Sequence, residues 1–331
     1  MGKAVAVSVH DTAPVWSGDT AGDALRRSIS LAEAVDELGY ARYWVAEHHS
    51  TPALATSAPV VLAGQVLAAT STIRAGSGAV LLPNHSPLAV AEQFGVLASL
   101  YPGRVDLGLG RGSGGSPVSA ARLGDPVRRE FDAQFAELSG YFANAGRGVG
   151  GVRAVPEPTE PPAFWMVGSS PGSAAYAGRL GLPFVFAHSI VPGLAVEALA
   201  AYRASFTPSP WRAEPYAGVA AIVVAADSED RAWEQANAFV LGQIRMRTVD
   251  PNTTLPTAAD AKAHRFSGAE ERFRREKTDP QFIGTPRTIT PRLAAFLAQT
   301  GADELMALTQ VPDHDARVRS YELLAKTVLS L

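Results

Sequence analysis

The chain has 331 residues, 47% of them hydrophobic, which is enough for one large core and too long for a small module. Its net charge of -3, with 25 Arg and 4 Lys, offers no basic field for nucleic acid. The absence of cysteine excludes disulfides, thiolate metal sites and a cysteine nucleophile. The opening segment is of strand length and lacks a signal peptide's longer apolar core. No apolar run reaches about 18 residues without glycine or charge. The expectation is a cytoplasmic protein that engages neither membrane nor nucleic acid.

In chain order, a first strand is expected at residues 4–9. Leu25, Ile29, Ala32 and Val35 fall at helical spacing and place a helix at 24–38, ending at Gly39, a common C-terminal cap position. Tyr43, Trp44 and Val45 favour a strand at 41–46. That strand runs into Glu47, His48 and His49, and the C-terminal ends of α/β strands are where such folds place their chemistry. The alternative is a histidine pair that only satisfies core hydrogen bonds. Helices at 57–69 and 87–100 each carry a proline near the entry, where it is tolerated. The strand between them, 73–82, contains Gly76 and Gly78, which mark a bulge or a close approach of backbone to ligand.

A strand at 104–109 leads into a glycine- and serine-rich loop at 110–116. Gly110 to Gly115 fits a dinucleotide G-x-G-x-x-G read literally, but Pro117 and a loop intervene before the next helix, and the strand is the fourth, so that reading is rejected. What remains is Arg111 at a strand end, whose planar, permanently charged fork can hold a phosphate or pair with a neighbouring acid. A charged amphipathic helix is expected at 125–142, then a Pro/Gly-rich segment at 146–162 and a strand at 163–167. Gly168-Ser169-Ser170-Pro171-Gly172-Ser173 then opens a helix that ends before Gly181. Free amides and three hydroxyls there suit an anion, with ordinary N-capping by Ser169 or Ser170 as the alternative. No lysine follows the glycine, so this is not a nucleotide-hydrolysing P-loop.

The remaining pattern is a strand at 184–187, a helix at 192–203, a strand at 217–225, a helix at 228–246, a polar stretch at 250–286, a helix at 287–299, a strand at 303–308 and a helix at 313–329. Eight strands with helices between them and no hairpin signals predict a parallel sheet, and eight is the closing number of a (β/α)8 TIM barrel. A doubly wound open sheet is the alternative. No linker divides the chain, so residues 1–331 read as a single domain with insertions after strands 4 and 7 at the active-site mouth. Alternating charges at 270–277 predict a solvated surface helix, and the whole stretch 250–286 reads as a lid. Asp11, Glu47, His48, His49 and His188 could gather at the mouth, yet no metal-ligand spacing is present, so no metal is expected. No serine-hydrolase elbow falls at a strand-to-helix turn.

Taken together, Tyr43-Trp44-Val45-Ala46-Glu47-His48-His49, Ala75-Gly76-Ser77-Gly78-Ala79, Ser86-Pro87-Leu88, Pro102 to Gly112, Gly181-Leu182-Pro183 and Gly301-Ala302-Asp303-Glu304-Leu305 resemble the bacterial luciferase-like monooxygenases. The subgroup most resembled includes polyketide-tailoring enzymes such as the monooxygenase of the mensacarcin pathway. The resemblance implies a barrel, a homodimer, and reduced FMN delivered by a separate flavin reductase in transient contact. It also implies O2 and flavin C4a-peroxide chemistry on a small organic substrate, with a natural-product intermediate as one candidate. Relatives that use F420 for hydride transfer, and a non-catalytic flavin-binding protein, are the alternatives. By motif position His48 is the active-site histidine with His49 beside it, and Glu47 and Asp11 support it. His10 and His188 are candidates for the pocket wall. Arg111, Ser169, Ser170 and Ser173 fall where the family binds phosphate, and Gly78-Ala79 where relatives carry a non-proline cis peptide. Gly110 replaces luciferase's reactive cysteine and Ser169 replaces an acid, so light emission is not implied.

Overall fold

The computed structural model describes residues 5–112, 114–115, 117–123, 130–143 and 146–328. In order these form β1 Ala6–Asp11, α1 Ala21–Glu37, β2 Arg42–Val45, α2 Pro59–Ala69, β3 Arg74–Leu81, α3 Pro87–Leu100, β4 Val105–Gly110, α4 Pro117–Leu123 and α5 Phe131–Ala143. There follow β5 Ala163–Gly168, α6 Pro171–Arg179, β6 Phe184–Phe186, α7 Ala195–Ala204, β7 Ala217–Ala225, α8 Glu229–Thr248, α9 Ala258–Ala263 and α10 Gly268–Thr278. β8 Phe282–Gly284, α11 Pro286–Thr300, β9 Glu304–Leu308 and α12 His314–Val328 complete the chain.

Every strand pairing is parallel, and each of β1 to β7 pairs with the next. β7 then pairs with β9 and β9 with β1, which closes an eight-stranded (β/α)8 barrel and rules out the open sheet. The ninth strand, β8, was not anticipated. It is three residues long, flanked by Pro280 and Pro286 inside a polar stretch, and it continues the wall by pairing with Val223–Ala225 at the far end of β7. The core lies between the outer face of the strands and the helices, with Leu31, Val66, Phe94, Leu107 and Phe184 nearly or fully buried. Burying each such side chain contributes about 1.5–3 kcal/mol.

Local chemistry sets the element ends. α1 begins at Ala21, three residues before the expected start, because Thr20 and Asp23 form a capping box. The Thr20 side chain accepts from Asp23 N at 3.1 Å, and the Asp23 carboxylate accepts from Thr20 N at 2.9 Å. Apolar spacing marks the buried stripe of a helix, not its cap. The helix expected at 125–142 appears as α5, and residues 124–129 lie outside the described residues. In β3 the register shifts between Ser77 and Val80, so the strand is bulged where the glycines stand, and the Gly78-Ala79 peptide is cis. Gly76 answers to a neighbouring strand: a Cβ there would lie 1.8 Å from the Asp106 carbonyl oxygen.

The N-terminal ends of the strands close over a charged floor. Arg42 Nη1 donates to Asp106 Oδ2 at 2.8 Å, and its Nε donates to Glu304 Oε1 at 3.0 Å. Arg74 Nε reaches Asp106 Oδ1 at 2.8 Å, and the Trp44 indole donates to Asp106 Oδ2 at 2.9 Å. Tyr216 OH and Ser8 OH donate to Glu304, and the Arg42 guanidinium lies 4.6 Å from the centre of the Trp165 ring. No described helix is long and apolar enough to cross a membrane.

Candidate functional site

A cavity of about 570 Å³ opens at the C-terminal ends of the strands. The strand order distributes its wall. His10 comes from β1, His48 from beyond β2, Gly78 and Ala79 from β3, and Gly110 and Arg111 from β4 and its exit. Gly168 and Ser169 come from the end of β5, whereas Val185, Ala220 and Met306 give β6, β7 and β9 an apolar face. The Trp44 indole contributes to the wall as well.

Alternation along β1 separates two neighbours. A strand sends successive side chains to opposite faces. His10 therefore faces the cavity, and Asp11 faces outward to α12. Asp11 does not line the cavity. Its carboxylate accepts from Arg317, from Tyr43 OH and from Ala13 N. Burial opposes its charge, but Arg317 and the Ser28 and Tyr43 hydroxyls outweigh burial and hold its carboxyl at about 2. Asp11 is a structural anion, and His10 is the β1 residue at the site.

Glu47 is a hub. Its Oε1 accepts from His49 Nε2 at 2.7 Å and from His85 Nε2 at 2.8 Å, and its Oε2 accepts from Leu81 N at 3.0 Å. Burial opposes its charge, yet His85, His49 and the Leu81 amide together hold the carboxyl below its usual range. His49 is not on the cavity wall; it turns to Glu47 instead. His48 is on the wall, and its Nδ1 is buried without a partner. Burial, with His10 nearby, lowers its pKa to about 4, so the ring is neutral at pH 7. Burial also lowers the pKa of His10. Because His10 Nε2 lies 2.5 Å from the Gly78 carbonyl, that nitrogen carries the proton and Nδ1 is left unprotonated.

Arg111 is exposed, and its guanidinium lies 4.8 Å from the centre of the Tyr176 ring. Among the described residues no carboxylate pairs with it. Ser170 and Ser173 form the capping box of α6, with Ser173 N to Ser170 Oγ at 3.1 Å and Ser170 N to Ser173 Oγ at 3.2 Å. Capping therefore occupies these two hydroxyls, although both residues line the cavity. Ser169 stays outside the box, and the Gly172 N–H, in the first turn of α6, has no intrahelical acceptor. His188 is buried away from the cavity: its Nε2 lies 3.0 Å from the Pro280 carbonyl, and Gln281 Nε2 donates to the His188 carbonyl at 3.2 Å. Among the described residues none from 250–286 lines the cavity, so that stretch is not its lid here. Leu255 is fully buried, and its N–H donates to Val15 O at 2.9 Å.

His85 was not singled out from sequence. It stands just past β3, the same kind of position that drew attention to Glu47 and His48, and the same rule would have found it.

A family model described as luciferase-like monooxygenase matches residues 5–304. The luciferase-like monooxygenase of Escherichia coli K12 is 38% identical over 324 residues, covering 97% of this chain and 96% of that protein. The N-acetyl-S-alkylcysteine monooxygenase of Bacillus subtilis is 40% identical over 194 residues, 56% of this chain and 58% of the relative. Among solved structures, apo-MsnO8 superposes with a TM-score of 0.91 at 36% identity, covering 99% of this chain and 98% of that one. With a closed barrel, a cavity at its mouth and matches over nearly its whole length, the chain belongs to the luciferase-like monooxygenase family and is an oxidoreductase.

Proposed function

We propose that this chain is a flavin-dependent monooxygenase that uses reduced FMN and O2 to oxygenate a small apolar or aromatic substrate. The observation that carries the reading is the division of one cavity. Arg111 and Ser169 lie at the exits of adjacent strands β4 and β5, and Val185, Ala220 and Met306 make an apolar face on β6, β7 and β9. The volume, about 570 Å³, lies within the roughly 300–1,000 Å³ of cofactor-sized sites.

Arg111, the Ser169 hydroxyl and the start of α6 would hold the phosphate through charge-assisted hydrogen bonds. A Cβ at Gly110 would press on the Leu81 side chain, at 2.9 Å, and on Ala79, at 3.4 Å. When bound, reduced flavin supplies the electrons that activate O2. The apolar wall excludes water from that chemistry. His48, neutral at pH 7, gives or takes the proton at its ring nitrogen.

A homodimer fits the exposed apolar residues Val61 on α2 and Val96 and Leu100 on α3, two helices that are apolar nearly all round. The reductase would meet the barrel only in passing.

The test is anaerobic titration with reduced FMN and with reduced F420, followed by rapid mixing with oxygenated buffer. The expected result is binding of reduced FMN and flavin reoxidation that is slowed relative to free flavin. Binding of F420 alone, with no oxygen-dependent change, would make the chain a hydride-transfer enzyme. Tight binding of oxidised FMN with no oxygenated product would make it a flavin-binding protein.

A further inference from the structure

We propose that Glu47, His49 and His85 form a site for a divalent transition-metal ion of the zinc class, beside the cavity at the barrel mouth. His49 and His85 aim their Nε2 atoms at one carboxylate oxygen, Glu47 Oε1, from 2.7 and 2.8 Å. The three donor atoms all lie within 4.8 Å of one another. Two imidazole nitrogens and one carboxylate oxygen are a set that zinc accepts, with a further position left open. Zinc–nitrogen bonds of about 2.0–2.1 Å place tetrahedral donors roughly 3.3 Å apart, so each imidazole nitrogen would draw back from Glu47 Oε1 by about half an ångström.

The surroundings hold the donors in place. Leu81 N donates to Glu47 Oε2 at 3.0 Å, which fixes the rotation of the carboxylate and leaves Oε1 for the cation. His49 N donates to Gly114 O at 2.8 Å, and Thr51 Oγ1 donates to His49 O at 3.1 Å. His85 N donates to Leu82 O at 3.0 Å, and Gln134 Nε2 donates to His85 O at 3.2 Å. Both imidazoles therefore hang from hydrogen-bonded backbone on two separate loops, one after β2 and one after β3. The His85 side chain is 31% exposed, which leaves a route from solvent. An ion here would clasp the two loops together. The site does not depend on the flavin reading, since metal binding is measured on the chain alone.

The test uses tag-free protein, stripped with chelator and titrated with Co2+. One equivalent should bind with a visible d–d band that Zn2+ discharges. His49→Ala and His85→Ala should each abolish the band and weaken binding by more than about 100-fold, beyond the 10–100-fold cost of losing an outer partner. His48→Ala and His264→Ala should keep it. Thermal unfolding of the unaltered protein gives a readout that needs no variant: Zn2+ should raise Tm, and chelator should return it. Absence of both the band and the Tm shift in the unaltered protein overturns the site. Survival of the band in His85→Ala overturns it equally.

Discussion

The two ends of this barrel use the same residue types to opposite effect. At the floor, Asp106 and Glu304 are buried, Arg42 and Arg74 are partly buried, and each charge meets an opposite one or a hydroxyl or indole donor. At the mouth, among the described residues, His10 and His48 each keep a buried ring nitrogen without a partner, and Arg111 stands exposed with no carboxylate paired to it. Satisfied buried polar groups fix a structure, and an unsatisfied one that faces a cavity is open to a ligand. Trp44 touches both ends: its ring lines the cavity and its indole N–H donates to Asp106.

The comparison can be broken most forcefully at the floor. Asp106→Ala leaves the Arg42 and Arg74 guanidiniums short of a buried counter-charge and should lower unfolding free energy by about 3–5 kcal/mol. Chemical denaturation measures it; a loss under about 1 kcal/mol would mean the floor is not a structural plug. Next comes the mouth. Arg111→Ala should weaken binding of reduced FMN by roughly 1.5–3 kcal/mol while leaving the denaturation midpoint in place, since the side chain is exposed. Unchanged affinity would remove Arg111 from the site.

The smallest effect is in acid. The folded pKa of His48, about 4, lies below its ordinary 6.5, so between those values the unfolded chain binds a proton that the folded chain refuses. Its contribution is complete above pH 6.5 and is lost as pH falls towards 4, by roughly 1–3 kcal/mol. His10 shifts in the same direction and adds to it. Denaturation across that window should show the slope, and His48→Gln should flatten it; an equal slope in the variant would assign the proton to other groups.

Much of this was legible before any coordinates. The eight barrel strands, their parallel order and the strand-end positions of His48, Arg111 and Ser169 followed from local pattern, whereas the Gly78-Ala79 pair was singled out by the family resemblance. Asp11 shows where that logic fails. A strand end places chemistry at the mouth, but alternation decides which neighbour turns inward, and here it is His10. The pairing of Asp11 with Arg317, and the meeting of His85 with Glu47, join segments that no local window contains. β8 was missed because three residues between prolines carry too little period to register.

The seam of the barrel, where β1 lies against β9, has a consequence during synthesis. Asp11 and Arg317 are 306 positions apart. On a ribosome adding roughly 5–20 residues per second, the buried carboxylate waits about 15–60 s for its counter-ion. Through that interval β1 has one edge without its neighbour, and unpaired edges invite pairing with the wrong chain. Translation speed and chaperone supply should therefore affect the yield of this protein alongside the contacts of the finished barrel.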